Sequence, residues 1–390
     1  MEENALTCAA LPLRADESLY ALVLGTREGM RSFLGSHAER LERRIDPDEW
    51  AVKPEVCCLI GDASAPVELL PDDAKAPATL AGKAVRILHA RWQAGRTGLA
   101  ILPCADREHN GEHLKEAMIA CAVNWGLGAV FLRWLVEEAR CRSTLTDCAE
   151  WLIEGEDALP LGEAAGAARF VKDLAPHHLR RRRMLGGAGM IVAAAGFLCG
   201  VNTIGEAMRD ADLRVLLGGA LTEELSAGLP FSHTETLEYA ARVCAYLENA
   251  CGGEAWPQMG QDLAARFVAC VLPAIAETEK REGALPPRLC FALSALIMLY
   301  AGVREKQDGE YVLPSESGEV PLLENEMALA AFSRLSCDMP PESLAYAALS
   351  DTQVWGCDLR EIEGLEDKVA AQLRDMQLLG VRGAMKAVCE

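Results

Sequence analysis

The sequence is short of basic residues: 38 Lys and Arg stand against 58 Asp and Glu, a net charge of −20. That balance excludes nucleic acid and an anionic membrane surface as general partners. There is no C-x-x-C pair, which argues against a structural zinc site, and no metal cofactor is expected. The opening Met1-Glu2-Glu3 puts two acids where a signal peptide needs positive charge ahead of an apolar run, so none is read. Fifteen Cys, an odd count without paired spacing, do not form a disulfide framework, and reduced thiols in a cytoplasm are expected. No internal repeat or low-complexity tract is visible.

What is present is ordinary globular material. Apolar residues make up 51% and charged residues 25%, enough to bury a full core, and 390 residues suit two or three domains. Met184 to Val201 carries no charge and follows the basic run Arg180 to Arg183, the pattern of a membrane span with a positive flank. Eighteen residues is the short limit for a span, and five of these are Gly, so the segment is read as a buried core helix.

Tyr20–Gly25, Val56–Ile60 and Leu99–Pro103 are short apolar runs bounded by Gly, Asp or Pro, and read as buried strands. Between the last two, Leu80, Ala84, Leu88 and Arg91 share a helical stripe; after the third, Leu114, Met118, Cys121 and Trp125 share another, with Asn110 as its expected N-cap. Strand alternating with helix implies a parallel α/β sheet. From Gly126 onward the expectation is helical: a helix through Leu263, Phe267, Cys270 and Ile275 bent at Pro273, one starting at Pro286-Pro287 and stopping at Gly302, and a late one through Leu365, Val369, Leu373 and Met376. Arg304 to Pro321 reads as a long loop with one short strand at Tyr311–Leu313. Leu161 to Phe170 is the expected hinge. The division is residues 1–165 as an α/β domain and 166–390 as a helical domain.

Gly186-Gly-Ala-Gly189 fails as a phosphate fingerprint: the third glycine of G-x-G-x-x-G falls on Val192, and no Lys-Ser/Thr follows. Its glycines are read as allowing close helix packing. His109 and His113 lie four apart near Asp106, Glu108 and Glu116, but Asn110-Gly111 between them starts the helix, so a solvated helix start is preferred to a metal site. His177-His178 reads as an exposed turn. Arg180 to Arg183 can grip a carboxylate or phosphate; the preferred reading is a solvated helix start paired with neighbouring acids.

Several segments together resemble one family. Ala284 to Gly302 resembles the late helix of tagaturonate reductases (altronate oxidoreductases), within the mannitol dehydrogenase or polyol-specific long-chain dehydrogenase family. Leu102-Pro-Cys104 followed by Asn110-Gly111, Trp134, and Ser143-Thr-Leu-Thr-Asp147 are similar to that family in the same order. So are Met184 to Gly189 with Gly196, Gly200 and Thr203, and Val354 to Met385. The resemblance implies an N-terminal Rossmann-type domain binding NAD(H), a helical substrate domain, and hydride transfer between a nicotinamide and a sugar-acid or polyol carbonyl. It also implies a catalytic Lys with Asn and His holding the substrate oxygen.

Carried over by position, the lysine falls on Arg181, the asparagine on Gly186 and the histidine on Gly189. Arginine stays protonated and cannot shuttle a proton, and glycine has no side chain to donate. Asp147 is kept, but the family arginine after it is Cys148. A further motif falls on Tyr246 to Glu254, where only Asn249 remains. Arg181 and Asp147 are the catalytic candidates; Asp106, Asn110 and Asn249 are the substrate-binding candidates, with Asp106 or His109 as an alternative proton carrier. Thr7–Leu13 looks like the family's second strand, so the pyrophosphate turn is expected to be missing and no cofactor-binding position intact. Gly61–Pro66 replaces a family loop, and Glu150 to Lys172 looks shortened. Three functions stay open: a non-catalytic relative acting as a binding or regulatory subunit, a divergent NAD(H)-linked oxidoreductase acting on a sugar acid of the tagaturonate/altronate type, and an interaction scaffold pairing with an intact paralogue.

Overall fold

The structure is a computed structural model that describes residues 7–13, 20–25, 45–62, 77–104, 107–148, 150–155, 168–249, 253, 261–306, 309–315 and 318–390. The chain divides into two compact units, Met1–His178 and Leu179–Glu390.

The first unit is built on a five-stranded sheet: β1 (Thr7–Pro12), β2 (Tyr20–Gly25), β3 (Val56–Asp62), β4 (Ala100–Cys104) and β5 (Arg140–Cys141), in that spatial order. β1 and β2 are antiparallel; β2 through β5 run parallel, with Cys58 opposite Ala21 on one side and Ala100 on the other. The parallel strands are joined by α1 (Pro47–Ala51), α2 (Leu80–Gln93), α3 (Asn110–Asn124) and α4 (Ala129–Glu138). Right-handed crossovers that always step in one direction put every helix on the same face. Leu22, Leu24, Leu59 and Ile101 accordingly pack in one core with Leu88, Met118 and Phe131 of the helices. The alternate residues Val23, Cys58, Ile60 and Leu102 face the other way and pack with Trp151 and Ile153.

Those last two residues belong to a second sheet, which corrects the expectation of an all-helical course after Gly126. It comprises β6 (Thr144–Asp147), β7 (Glu150–Glu154) and β8 (Ala168–Val171), with β6 antiparallel to β7 and β7 parallel to β8. A parallel sheet with one helical face needs a cover for its other face, and these short β-branched and aromatic runs supply it.

His89 of α2 lies half-buried, stacked on Trp92 at 5.6 Å and edge-on to Phe131 at 4.9 Å. Burial lowers its pKa from 6.5. The unfolded chain therefore takes up this proton first, so the contribution of the ring is complete above pH 6.5 and is lost as pH falls through the lowered folded value. His89→Phe keeps the ring contacts and removes the titration. Its denaturation midpoint should fall less than that of the parent between roughly pH 7.5 and 5, and parallel curves would refute the assignment.

The second unit is helical. Continuing from α5 (Ala175–Arg180), it contains a π-helical turn Arg181–Gly186, α6 (Gly187–Leu198), α7 (Ile204–Arg209), α8 (Ala211–Gly219), a second π-helical turn Ala220–Glu224 and α9 (His233–Asn249). There follow α10 (Leu263–Cys270), α11 (Leu272–Glu282), α12 (Pro287–Ala301), α13 (Glu326–Phe332), α14 (Pro341–Leu349), α15 (Thr352–Trp355) and α16 (Leu365–Cys389). α6 and α12 pack together and are buried on nearly every side, as their all-round apolar sequences require. The Met184–Val201 run is thus core, and among the described residues no helix is long and apolar enough to cross a membrane.

Two local expectations change here. The helix around Pro273 breaks rather than bends: Val271 leaves α10 at φ −113°, and Pro273 sits in the first turn of α11, where its missing N–H costs nothing. Arg304–Pro321 holds a three-stranded sheet, β9 (Arg304–Glu305), β10 (Tyr311–Ser315) and β11 (Gly318–Pro321), not a single strand in a loop. α12 begins at Pro287 without a cap from its own neighbour Pro286. Glu224 takes that place: its carboxylate accepts from the backbone N–H of Leu289 at 2.9 Å and of Arg288 at 3.2 Å, and from the Arg288 guanidinium at 3.1 Å. Burial raises its pKa despite these donors.

Candidate functional site

Two places carry the residues singled out in the sequence, one in each unit. In the first unit the place is the start of α3. Asn110 does not act as the N-cap. His109 holds that position in the left-handed conformation, φ 54°, with no side-chain cap bond. Asn110 is already helical, and its buried amide faces β6: Nδ2 donates to the Thr144 carbonyl at 2.8 Å, and Oδ1 accepts from the Thr144 N–H at 2.9 Å. The Thr144 hydroxyl donates in turn to the Pro103 carbonyl at the end of β4. Gly111 makes this docking possible, because a Cβ there would lie 2.5 Å from the Ser143 nitrogen.

Asp147 ends β6, opposite Glu150 across the hairpin and fully buried; Cys148 after it is left-handed at φ 46°. A side chain at Cys148 is thereby held at a turn that favours glycine or asparagine. Asp106 lies outside the described residues. His109 and His113 sit 3.9 Å and 3.8 Å from Glu112 and Glu116 respectively, each a mostly exposed pair one turn apart.

Dinucleotide binding to a doubly wound sheet uses a strand–turn–helix glycine loop and the crevice where the strand order reverses. The described strands β1 to β5 follow the sheet in chain order with no reversal, and the first two are antiparallel. The N-terminus of α2 is capped internally, Thr79 Oγ1 accepting from the Gly82 N–H at 3.0 Å. Gly61 at the end of β3 is closed over by Leu80, whose Cδ1 would lie 2.1 Å from an added Cβ. Among the described residues no cradle fits a pyrophosphate. Most of Gly61–Pro66, and most of Leu161–Phe170, lies outside them.

In the second unit the place is the helical run through α5, the π turn and α6. The arginine run is not a solvated helix start. Arg180 is buried, its guanidinium 3.8 Å from the Tyr239 ring centroid and 4.6 Å from that of Phe231, a cation held between aromatic faces. Arg183 is buried as well, pairing with Glu277 of α11 and donating to the Ala227 carbonyl at 3.3 Å. Arg181 is half-buried, and only Arg182 is exposed. His177-His178 is likewise no exposed turn: both rings are buried within α5. Their neighbours three and four residues along are arginines, so no apolar stripe announces this burial, which tertiary packing sets.

Gly186 ends the π turn and Gly189 lies one turn on. Added Cβ atoms show how differently they sit: at Gly186 it would be 2.6 Å from the Cys270 sulfur, whereas at Gly189 the nearest atom is Arg266 Nη2 at 3.8 Å. Asn249 is the last residue of α9, exposed, with Nδ2 donating to Ala245 O at 2.8 Å; most of the motif region beyond it, at 250–252 and 254, is outside the described residues. Chemically, the run offers guanidinium groups, which attract anions but do not exchange protons near neutrality. Burial pushes the thiols of Cys8, Cys141 and Cys290 up to about 12 and that of Cys199 to about 11, so these four supply no nucleophile near neutrality.

Similarity to known proteins agrees with this architecture. Altronate oxidoreductase of Yersinia pestis is 28% identical over 354 residues, covering 80% of this chain and 71% of that protein. Altronate oxidoreductase of Klebsiella pneumoniae (strain 342) is 28% identical over 366 residues, 82% and 72% of the two chains. In fold, the chain is similar to substrate-free D-sorbitol dehydrogenase, with TM-score 0.65 and 17% identity over 87% of this chain and 76% of that one. It is also similar to Pseudomonas fluorescens mannitol 2-dehydrogenase, solved with NAD and D-mannitol, with TM-score 0.53 and 15% identity over 98% and 82%. Residues 173–377, just over half of the chain, match the mannitol dehydrogenase C-terminal domain, and the protein belongs to the mannitol dehydrogenase family.

Proposed function

We propose that the chain is a non-catalytic, altronate-oxidoreductase-like member of its family that keeps the fold as a binding or regulatory subunit. One observation carries the reading. Arg181, Gly186 and Gly189 stand where a proton shuttle and two oxygen-holding donors are expected, and the space for a side chain at 186 is taken by Cys270. Losing a general acid/base costs about 10²–10⁴-fold and each oxyanion donor about 10²–10³-fold, so together they remove the hydride-transfer rate. The test is turnover with tagaturonate, fructuronate and mannitol, in both directions, with NAD(H). No reaction above the no-enzyme control is expected; clear NADH-dependent reduction of a sugar acid overturns the proposal. An intact paralogue is the partner such a subunit calls for, and co-purification from a native extract is the way to find it.

A divergent NAD(H)-linked sugar-acid oxidoreductase is the second reading. It is favoured by Asp147, a fully buried carboxylate at a position the family retains. Calorimetric titration with NADH separates the two: saturable binding supports the oxidoreductase, and no heat at millimolar cofactor removes it.

A further inference from the structure

The resemblance names three altered positions in the helical run, and the geometry points to a fourth. We propose that Cys270, from a helix more than eighty residues downstream, determines what residue 186 can be: while its thiol stands, the π turn cannot carry a side chain there.

Gly186 does not need to be glycine for its backbone. Its φ of −61° and ψ of −47° are ordinary helical values, which every residue adopts. On propensity alone, alanine would be better by about 1 kcal/mol. Space is the remaining reason. A Cβ at 186 would lie 2.6 Å from Cys270 Sγ and 3.4 Å from its Cβ, closer to the sulfur than real Cβ atoms come. The thiol's freedom to withdraw is reduced. Cys270 is the last residue of α10, where χ1 near +60° is blocked by the preceding turn, and the chain breaks directly after it at Val271 and Pro273. Gly189 is the internal control: it lies in the same run, and its nearest foreign atom is the tip of Arg266 at 3.8 Å.

The steric coupling gives the proposed loss of function a direction. Restoring Lys at 181, Asn at 186 and His at 189 leaves the asparagine colliding with Cys270, so recovery of the site needs a simultaneous change at 270. That consequence rests on the non-catalytic reading; the steric coupling does not.

The test is the folding equilibrium of the full chain, followed by chemical denaturation, for Gly186→Ala, Gly189→Ala, Cys270→Ala and the Gly186→Ala/Cys270→Ala pair. Gly189→Ala should raise the folding constant, up to about five-fold. Gly186→Ala should lower it, by roughly five- to one-hundred-fold. With Cys270→Ala in place, the same substitution should no longer lower it. Recovery of soluble, folded protein only in the double variant counts the same way. The inference is overturned if Gly186→Ala stabilises the chain as Gly189→Ala does, or if it costs the same with and without the thiol. Opposite signs at 186 and 189 show that position 186 is sterically closed, and the double variant shows that the thiol closes it. Turnover by the parent protein would refute the non-catalytic reading and leave these signs untouched.

Discussion

Replacing Asn110 by alanine is expected to destabilise the first unit by about 2–5 kcal/mol with no ligand present. The figure follows from what the substitution strands. Both polar atoms of the amide are engaged with the backbone of one residue, Thr144, in a buried setting. Alanine leaves that residue's N–H and C=O without these partners, and each buried group left unpaired costs about 1–3 kcal/mol. Asn110→Asp should be nearly as damaging, because the atom now donating to the Thr144 carbonyl would become an acceptor. The measurement is the urea midpoint of the ligand-free protein. A loss below about 1 kcal/mol would show that the amide is not structural, and would return Asn110 to the substrate-binding candidates.

Arg91→Ala should cost about 3–5 kcal/mol. Arg91 is 2% exposed. Its guanidinium donates to the carbonyls of Ala51 at 2.6 Å, Thr97 at 2.9 Å and Lys53 at 3.2 Å. One side chain therefore holds the end of α1, the approach to β3 and the approach to β4 around the C-terminal turn of α2. Charge-assisted bonds are the stronger kind; one of the three carbonyls ends α1, and the other two lie in the loops before β3 and β4. Arg91→Lys should recover part of the loss, since an ammonium can reach one of the carbonyls but does not match the fork. Equal stability of the alanine and lysine variants would mean that the packing of the stem, and not the hydrogen bonds, matters.

The sequence pattern reached the elements whose core faces repeat regularly. Strands β2, β3 and β4 and helices α2 and α12 follow their apolar periods closely, because burial of one stripe or one alternating face fixes the type; α16 does so only as far as Met376, before the break at Gly380. It failed where polar residues are buried. Arg91 lies on the apolar stripe of α2 and is buried there, but His177, His178, Arg180 and Arg183 read as surface although all are inside. Their burial depends on tertiary partners such as Tyr239 and Glu277, which no local spacing reveals. The second sheet was missed for a related reason. β6 to β8 are four or five residues long, too short for alternation to register, and exist because the first sheet needs its bare face covered. Of the candidate site, the identities at 181, 186 and 189 were readable by resemblance alone, whereas Cys270, opposite Gly186, was just another member of the apolar stripe of α10.

The cap on α12 has a kinetic side. The helix most deeply embedded in the second unit starts with two prolines and has no local residue to close its first turn. The carboxylate that does so lies 64 and 65 positions earlier. A segment that propagates well but starts poorly waits for its nucleus, and here the nucleus requires closing a loop of that length, an entropic barrier of about 4 kcal/mol. The expected order is that the turn carrying Glu224 settles first and the buried hydrophobic helix winds outward from it; a φ-value near zero for Glu224→Gln in refolding kinetics would refute it. A ribosome presents the segments in that same order, so the anchor has emerged before the helix that depends on it.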